Sequence, residues 1–481
     1  MYTFSKAVLI LLVSACSVMP QKLSKADKAY IDSIMNSYYK PDAPGAVILA
    51  AKDGKVLFRK AYGMASLELG VPEKPEFVFP LGSIVKQFTA VSILQLAEQG
   101  KLSLQDDIRK YLPEYNTQGR KITIEHLLTH TSGIKSLYEK PDYQKLRRNE
   151  YKAEELLTLF QDEPLYFEPG SNWNYSNSGF TIAGLIIEKI SGMSFKEYLE
   201  KNFFTPLGMK STFIAPWDRV IPGLVPYYRP AGKEVYKPGP YFSFSSLFSA
   251  GDLISCADDM LKWDEALYSG KILKKEWLEK AWTSYILPDG QKTNYGYGWA
   301  LGEFKGMHFI QHDGIAGYLS DAIRVPEKHL YVIIASNNGG FSPNEAANKI
   351  ACRLLGIELE TEKPLKLDDK ALAEYTGAFE IKRPAGNDFR YASKEKVYRS
   401  VTLSDGALYS ECKAEGKYRL VPIQKDIFLF EGTDTKMQFN RNETGRISGI
   451  RIFSEPVNYG PDDVEPVAEV TVSEERRKEK N

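Results

Sequence analysis

Gly82-Ser83-Ile84-Val85-Lys86-Gln87-Phe88-Thr89-Ala90-Val91-Ser92-Ile93-Leu94 is the stretch on which the reading of this chain turns. Its apolar residues are dense enough to predict a buried helix from about Ser83 to Gln99, closed by Gly100 as a C-cap. Residues three apart share a helix face, so Lys86 is expected to bring its amine beside the Ser83 hydroxyl. A serine hydroxyl is a poor nucleophile until a base takes its proton. A lysine serves as that base only when desolvated, since its reference pKa is about 10.4. The same spacing at Ser37–Lys40 and Ser393–Lys396 falls in polar surroundings and lacks that context. The bland alternative for Ser83 is a helix N-cap and nothing more.

Outward from this helix, Gly45–Ala51 and Lys55–Tyr62 are β-rich runs joined by Asp53-Gly54, a strong hairpin signal. An amphipathic helix over Ala26–Lys40, stopped by Pro41, precedes them. A helix-rich section follows, with Ile124–His130, Gly179–Ile190 and Asp258–Tyr268. Strands return at Gly298–Glu303, His308–His312, Asp321–Val325 and Tyr331–Ser336, before a helix over Asn344–Leu355. Strands, helices, strands, helix in that order predict an α+β fold: an antiparallel sheet flanked by helices, with a helical subdomain, over 26–356. The charged segment 357–372, containing Pro364, reads as a linker. Short strands over 373–455 predict a small all-β unit, a barrel or a sandwich, and 456–481 reads as a disordered charged tail.

Composition bounds the partners. The chain has 481 residues, 43% hydrophobic and 26% charged, with 62 basic and 62 acidic side chains. That balance argues against nucleic acid, whose binders need a basic excess. Met1–Lys6 carries one positive charge and Ala7–Val13 is apolar, which reads as a secretory signal over 1–15. Val13-Ser14-Ala15-Cys16 resembles a bacterial lipobox, so Cys16 is expected to carry lipid and tie 16–25 to a membrane of the cell envelope. An ordinary signal peptide that happens to contain a cysteine is the alternative. Cys256, Cys352 and Cys412 match neither a zinc site nor a disulfide framework and read as buried thiols.

Three further motifs could carry chemistry. Tyr175-Ser176-Asn177 lies in a polar stretch before an apolar helix, where a tyrosine could relay a proton and an asparagine hold a substrate amide. An unremarkable loop is the alternative. His312-Asp313-Gly314 is read at the end of a strand; Gly314 permits close approach and the Ile315 N–H can face an oxyanion. A turn that merely ends the strand is the alternative, since Asp-Gly is a common turn pair. His126 and His130 stand four apart on a helix, but no third ligand accompanies them, so no metal and no cofactor is expected. The chain also lacks a Gly-x-Ser-x-Gly elbow.

Taken in order, Ser83-x-x-Lys86, Tyr175-x-Asn177 and His312-x-Gly314 resemble the motif set of the serine β-lactamases and penicillin-binding proteins, in the Tyr-x-Asn form of the class C enzymes and D-Ala-D-Ala carboxypeptidases. Pro44–Ala51, Gln95–Tyr111, Leu127–Gly133 and Ala250–Trp263 resemble the family too, and Tyr375–Phe453 resembles a lipocalin-like module. The resemblance implies an acyl-enzyme on Ser83, with Lys86 and Tyr175 sharing base work. It implies Ser83 and Ile315 N–H as the oxyanion hole, and Asn177, His312 and Gly314 lining a small-molecule or peptide site. The bonds implied are D-amino-acid peptide, ester or β-lactam acyl bonds; His312 replaces the lysine common in β-lactamases, which shifts weight from penicillin hydrolysis toward peptide or ester cleavage without excluding β-lactam acylation. A lipid-anchored ligand- or peptidoglycan-binding protein that keeps the fold without turnover, or an interaction protein working through its β-module, are the competing readings.

Overall fold

Ala46–Lys52, Ala-Val-Ile-Leu-Ala-Ala-Lys, is buried on both faces until its last residue, the pattern of a strand at the centre of a covered sheet. The computed structural model describes residues 22–214, 220–232, 234–359, 363–380, 398–412, 416–431 and 435–454. The expected signal segment, Cys16 and the charged tail lie outside these residues, as does Ser393–Lys396.

Helix α1 (Lys25–Tyr38) leads into strands β1 (Ala46–Lys52) and β2 (Lys55–Tyr62), joined through Asp53 and Gly54, both at positive φ. That is the geometry an Asp-Gly hairpin turn requires. After β3 (Phe79–Gly82) come helices α2 (Val85–Glu98), α3 (Ile124–Leu128) and α4 (Asn177–Ser191). Then follow β4 (Leu253–Ser255), α5 (Ala257–Tyr268), β5 (Ala300–Phe304), β6 (Met307–Ala316), β7 (Tyr318–Val325), β8 (Leu330–Ser336) and α6 (Asn344–Leu354). The main sheet is antiparallel throughout, in the order β5-β6-β7-β8-β1-β2.

Alternation divides β1 and β8 between two cores. Ala46, Ile48 and Ala50, with Val332 and Ile334, pack against Ile31 and Met35 of α1 and Ala347 and Ile350 of α6. Val47, Leu49 and Ala51, with Tyr331 and Ile333, pack against the helical section, where Phe88 and Trp263 stack at 3.9 Å between centroids. Helix α2 is therefore covered on nearly every side: each residue from Val85 to Leu94 is buried, the polar Lys86, Gln87, Thr89 and Ser92 included.

Two expectations change. The helical section also holds β3 and β4 paired with Phe213–Ile214, a small sheet whose strands are too short to signal themselves. The segment read as a linker ends in a helix, α7 (Asp369–Ala373), capped by Asp368, whose Leu372 enters the core of the following unit. That unit is a seven-stranded antiparallel, barrel-like sheet in chain order, with Phe428, Phe439 and Met437 inside. Asp405-Gly406 and Gly445 turn its hairpins, as their sequence suggests. Among the described residues no helix is long and apolar enough to cross a membrane. Cys256, Cys352 and Cys412 are all buried.

Candidate active site

Ser83 sits in the turn between β3 and α2. Its carbonyl accepts the Lys86 N–H at 3.0 Å, a three-residue closure, so regular helix begins at Val85 rather than at Ser83. The Ser83 hydroxyl does not cap the helix. It accepts instead from Lys86 Nζ at 2.9 Å.

Lys86 is fully buried. Besides Ser83, its amine donates to Asn177 Oδ1 at 2.8 Å and to the Ala250 carbonyl at 2.7 Å. It also stands 4.8 Å from the Tyr175 ring centroid and 5.5 Å from that of Phe180. Burial dominates these and holds the amine well below the ordinary lysine range, against the opposing pull of the Asp313 charge. Three acceptors match the three protons of an ammonium. The neutral amine also fits this site: its two protons go to the Asn177 oxygen and the Ala250 carbonyl, which only accept, and its lone pair faces the Ser83 hydroxyl, which can donate.

Tyr175 and Asn177 are presented by the start of α4, where Ser176 is the N-cap and accepts from Gly179 N–H. Burial raises the Tyr175 phenol, and the Ser83 hydroxyl facing it partly offsets the rise. The Asn177 side chain, expected to hold a substrate amide, is engaged at both ends: its oxygen by Lys86, its nitrogen by Ser136 Oγ at 3.2 Å. One amide hydrogen remains for a ligand.

His130 supports this loop. It is fully buried at a φ of 61°, and its Nδ1 accepts the Ser176 N–H at 3.1 Å while its carbonyl accepts the Asn174 N–H. Its ring lies 4.3 Å from Tyr175 and 4.7 Å from Tyr295, and burial holds it neutral, well below the usual histidine range. His126 turns elsewhere, its Nδ1 accepting from Thr123 N–H in the capping box of α3. The two histidines thus serve different backbone segments.

His312, Asp313 and Gly314 fall within β6, which runs on to Ala316; they do not end the strand. Pairing with Asp321, Ser320 and Leu319 of β7 overrides the local turn preference of Asp-Gly. His312 Nδ1 lies 2.6 Å from the Asp313 carbonyl, which can only accept, so Nδ1 bears the proton and Nε2 accepts from the Tyr295 hydroxyl at 2.8 Å. Burial lowers the imidazole to about 4. Both ring nitrogens are therefore occupied by the protein, and His312 offers no charge to a substrate.

Gly314 and Gly82 let two backbones meet. A Cβ on Gly314 would lie 1.9 Å from the Leu81 carbonyl oxygen, and one on Gly82 would lie 2.8 Å from the Ile315 nitrogen. Ser320 Oγ ties the same Leu81 carbonyl to β7 at 2.9 Å. The Ile315 amide nitrogen is thereby set beside the residue that precedes Ser83. Sequence reading identified Ser83, Lys86, Tyr175, Asn177, His312, Gly314 and Ile315, and the structure brings them together. It missed Ser136, Tyr295 and the Ala250 carbonyl, which carry no motif, although Ala250 opened a segment noted for its family likeness.

Residues 28–356 match the family pattern described as Beta-lactamase. Penicillin-binding protein 4* of Bacillus subtilis is 27% identical over 423 residues, covering 84% of this chain and 91% of that protein. The octameric penicillin-binding protein homologue from Pyrococcus abyssi superposes with a TM-score of 0.64 at 27% identity, over 90% of this chain and 98% of its own. A D-stereospecific amidohydrolase from Streptomyces sp. superposes with a TM-score of 0.56 at 25% identity, over 65% of this chain and 94% of its own.

Proposed function

The chain belongs to the Beta-lactamase family, and from that premise we propose that it is a serine hydrolase working through a Ser83 acyl-enzyme on amide, peptide or ester bonds. One observation carries the reading: the Lys86 amine, stripped of water, faces the Ser83 hydroxyl at 2.9 Å with its other protons already committed. In the neutral form its lone pair takes the Ser83 proton as Oγ adds to the acyl carbonyl. No side chain need move, because the ammonium that forms already has three acceptors. Ser83 and Ile315 N–H would receive the oxyanion, and Tyr175, beside both Ser83 and Lys86, would return the proton to the leaving amine or alcohol. Water then attacks the ester carbonyl and the same groups restore the serine.

A D-amino-acid peptide or related acyl donor is the favoured class. The neighbouring D-stereospecific amidohydrolase is consistent with this, and a neutral His312 gives no cationic anchor of the kind a β-lactam carboxylate needs. Export, with lipid on Cys16 as the membrane tether, is part of the proposal and rests on Val13-Ser14-Ala15-Cys16. The test is mass spectrometry of the protein after exposure to a p-nitrophenyl ester, a D-Ala-D-Ala peptide and a penicillin. An adduct on the Ser83 peptide, absent from Ser83→Ala, is expected with at least one. Folded protein that gives no adduct and no turnover with any of them would favour ligand binding without catalysis.

A further inference from the structure

Strand β6 has two neighbours as far as Gln311 and one beyond it. Its pairing with β5 stops at Ala300–Gln311, while pairing with β7 continues to Ala316–Tyr318. The segment His312–Ala316 therefore presents an open edge, and Gly314–Ile315 of that segment lies against Gly82, one residue from Ser83. Side chains alternate along it: His312, Gly314 and Ala316 are buried, Asp313 and Ile315 exposed.

Asp313 is 53% exposed, and among the described residues no lysine or arginine pairs with it. The ring nearest to it, His312, is neutral and occupied on both nitrogens. Asp313 nevertheless stands in the strand between His312, which meets the Tyr295 hydroxyl at 2.8 Å, and the Gly314–Ile315 pair against Gly82, and its charge is felt at Lys86 and Tyr175. Asp313 and Ile315 lie two residues apart, roughly 7 Å along an extended strand. That spacing lets a carboxylate at one position meet a group a few bonds from a carbonyl held at the other.

We propose that Asp313 is a specificity-determining residue that receives a primary ammonium group of the substrate, so that acyl donors with a free amine close to the scissile carbonyl are preferred and carboxylate-bearing ones are disfavoured. This rests on Ser83 as the nucleophile. Among the described residues no lysine or arginine pairs with this carboxylate, whose contact at 3.9 Å is the neutral His312 ring, and a cationic amine is its charge complement. A half-exposed, charge-assisted hydrogen bond gives a preference of about tenfold, between the small effect of surface pairs and the larger one of buried ones.

The test compares matched pairs. D-alanyl p-nitroanilide against N-acetyl-D-alanyl p-nitroanilide places the amine on the acyl side. S-acetylcysteamine against S-acetyl-2-mercaptoethanol places it on the leaving group. The amine-bearing member of at least one pair should show about tenfold higher kcat/KM, mainly through KM, and Asp313→Asn should bring that ratio close to one. A second measurement needs no turnover: calorimetric binding of D-alaninamide and N-acetyl-D-alaninamide to Ser83→Ala, with the free amine binding tighter. Equal handling of both members in turnover and in binding, including no binding of either, would overturn the assignment, as would a preference that survives Asp313→Asn. A Ser83 adduct with neutral esters but no amine preference would sink this inference and leave the hydrolase reading standing.

Discussion

Gly314→Ala probes the contact on which the oxyanion geometry depends. The added Cβ would lie 1.9 Å from the Leu81 carbonyl oxygen, 2.8 Å from its carbon and 2.5 Å from Ser320 Oγ. Against ordinary van der Waals contact the first of these falls short by about 1.5 Å. The Ser320 hydroxyl can rotate away, but the clashing Leu81 atoms are main chain of a buried residue, held between Pro80 and Gly82, which pair with β4 on either side of it. Most of the shortfall must therefore appear as a shift of the open β6 edge, which carries the Ile315 N–H away from Ser83. A displacement near 1 Å costs on the order of 10²-fold in rate, and loss of one oxyanion donor about 10²–10³-fold. The variant should acylate about 10²–10³ times more slowly, with the loss in kcat, and lose about 1–3 kcal/mol of stability from overpacking. Stopped-flow release of p-nitrophenolate gives the first quantity, and urea unfolding of the same preparation the second. A natively folded variant that acylates within about threefold of wild type would refute the reasoning, since the two backbones would then not need this approach.

Lys86→Met should slow acylation by about 10²–10⁴-fold, the usual contribution of a positioned base. Because burial holds the Lys86 amine below its unfolded value, the unfolded chain binds the proton more tightly, so wild type should gain stability relative to this variant as pH rises from 7 toward 10; a pH-independent difference in urea unfolding would contradict the shift. Asp264→Asn strands Arg324, which it holds at 2.6 Å with both side chains 1% exposed, and should cost about 3–5 kcal/mol in the same assay. A loss under about 1 kcal/mol would show that Arg324 is otherwise compensated. Cys16→Ala should move the protein from the membrane pellet to the soluble fraction; unchanged fractionation would rule out the lipid tether.

Ser83 and Lys86 were legible because helical spacing and a surrounding apolar run are local facts, and burial of that run implies burial of the lysine. The β1–β2 hairpin was legible because Asp53-Gly54 has few other uses between two β-rich runs. The end of β6 was not. Asp-Gly favours a turn, and only pairing across β7, from residues 319–321, extends the strand through it. Two further contacts were equally hidden: Ala250 holds Lys86 through its carbonyl, which every residue possesses, and Tyr295 holds His312 from a loop with no motif. His130 was noticed for a different reason, its spacing from His126. Its role follows from the Ser176 N–H it accepts, a contact across 46 residues of sequence.

The state of Lys86 shows why these distant contacts matter to the chemistry. The Ser83 hydroxyl, the Asn177 oxygen, the Ala250 carbonyl, two ring faces and the Asp313 charge all favour the ammonium. Loss of hydration opposes them and pulls the amine well below the ordinary lysine range. A lysine buried without such partners would have nowhere to hold a proton once it had taken one. A lysine with such partners in water would stay charged and have no lone pair to offer. Asn177 and Ala250 come from segments 91 and 164 residues away, so the base exists only when α4 and the strand β4 region close over α2. Folding thus does two opposed things at one atom: it removes the water that would keep the amine protonated, and it installs the acceptors that stabilise the ammonium when Ser83 gives up its proton.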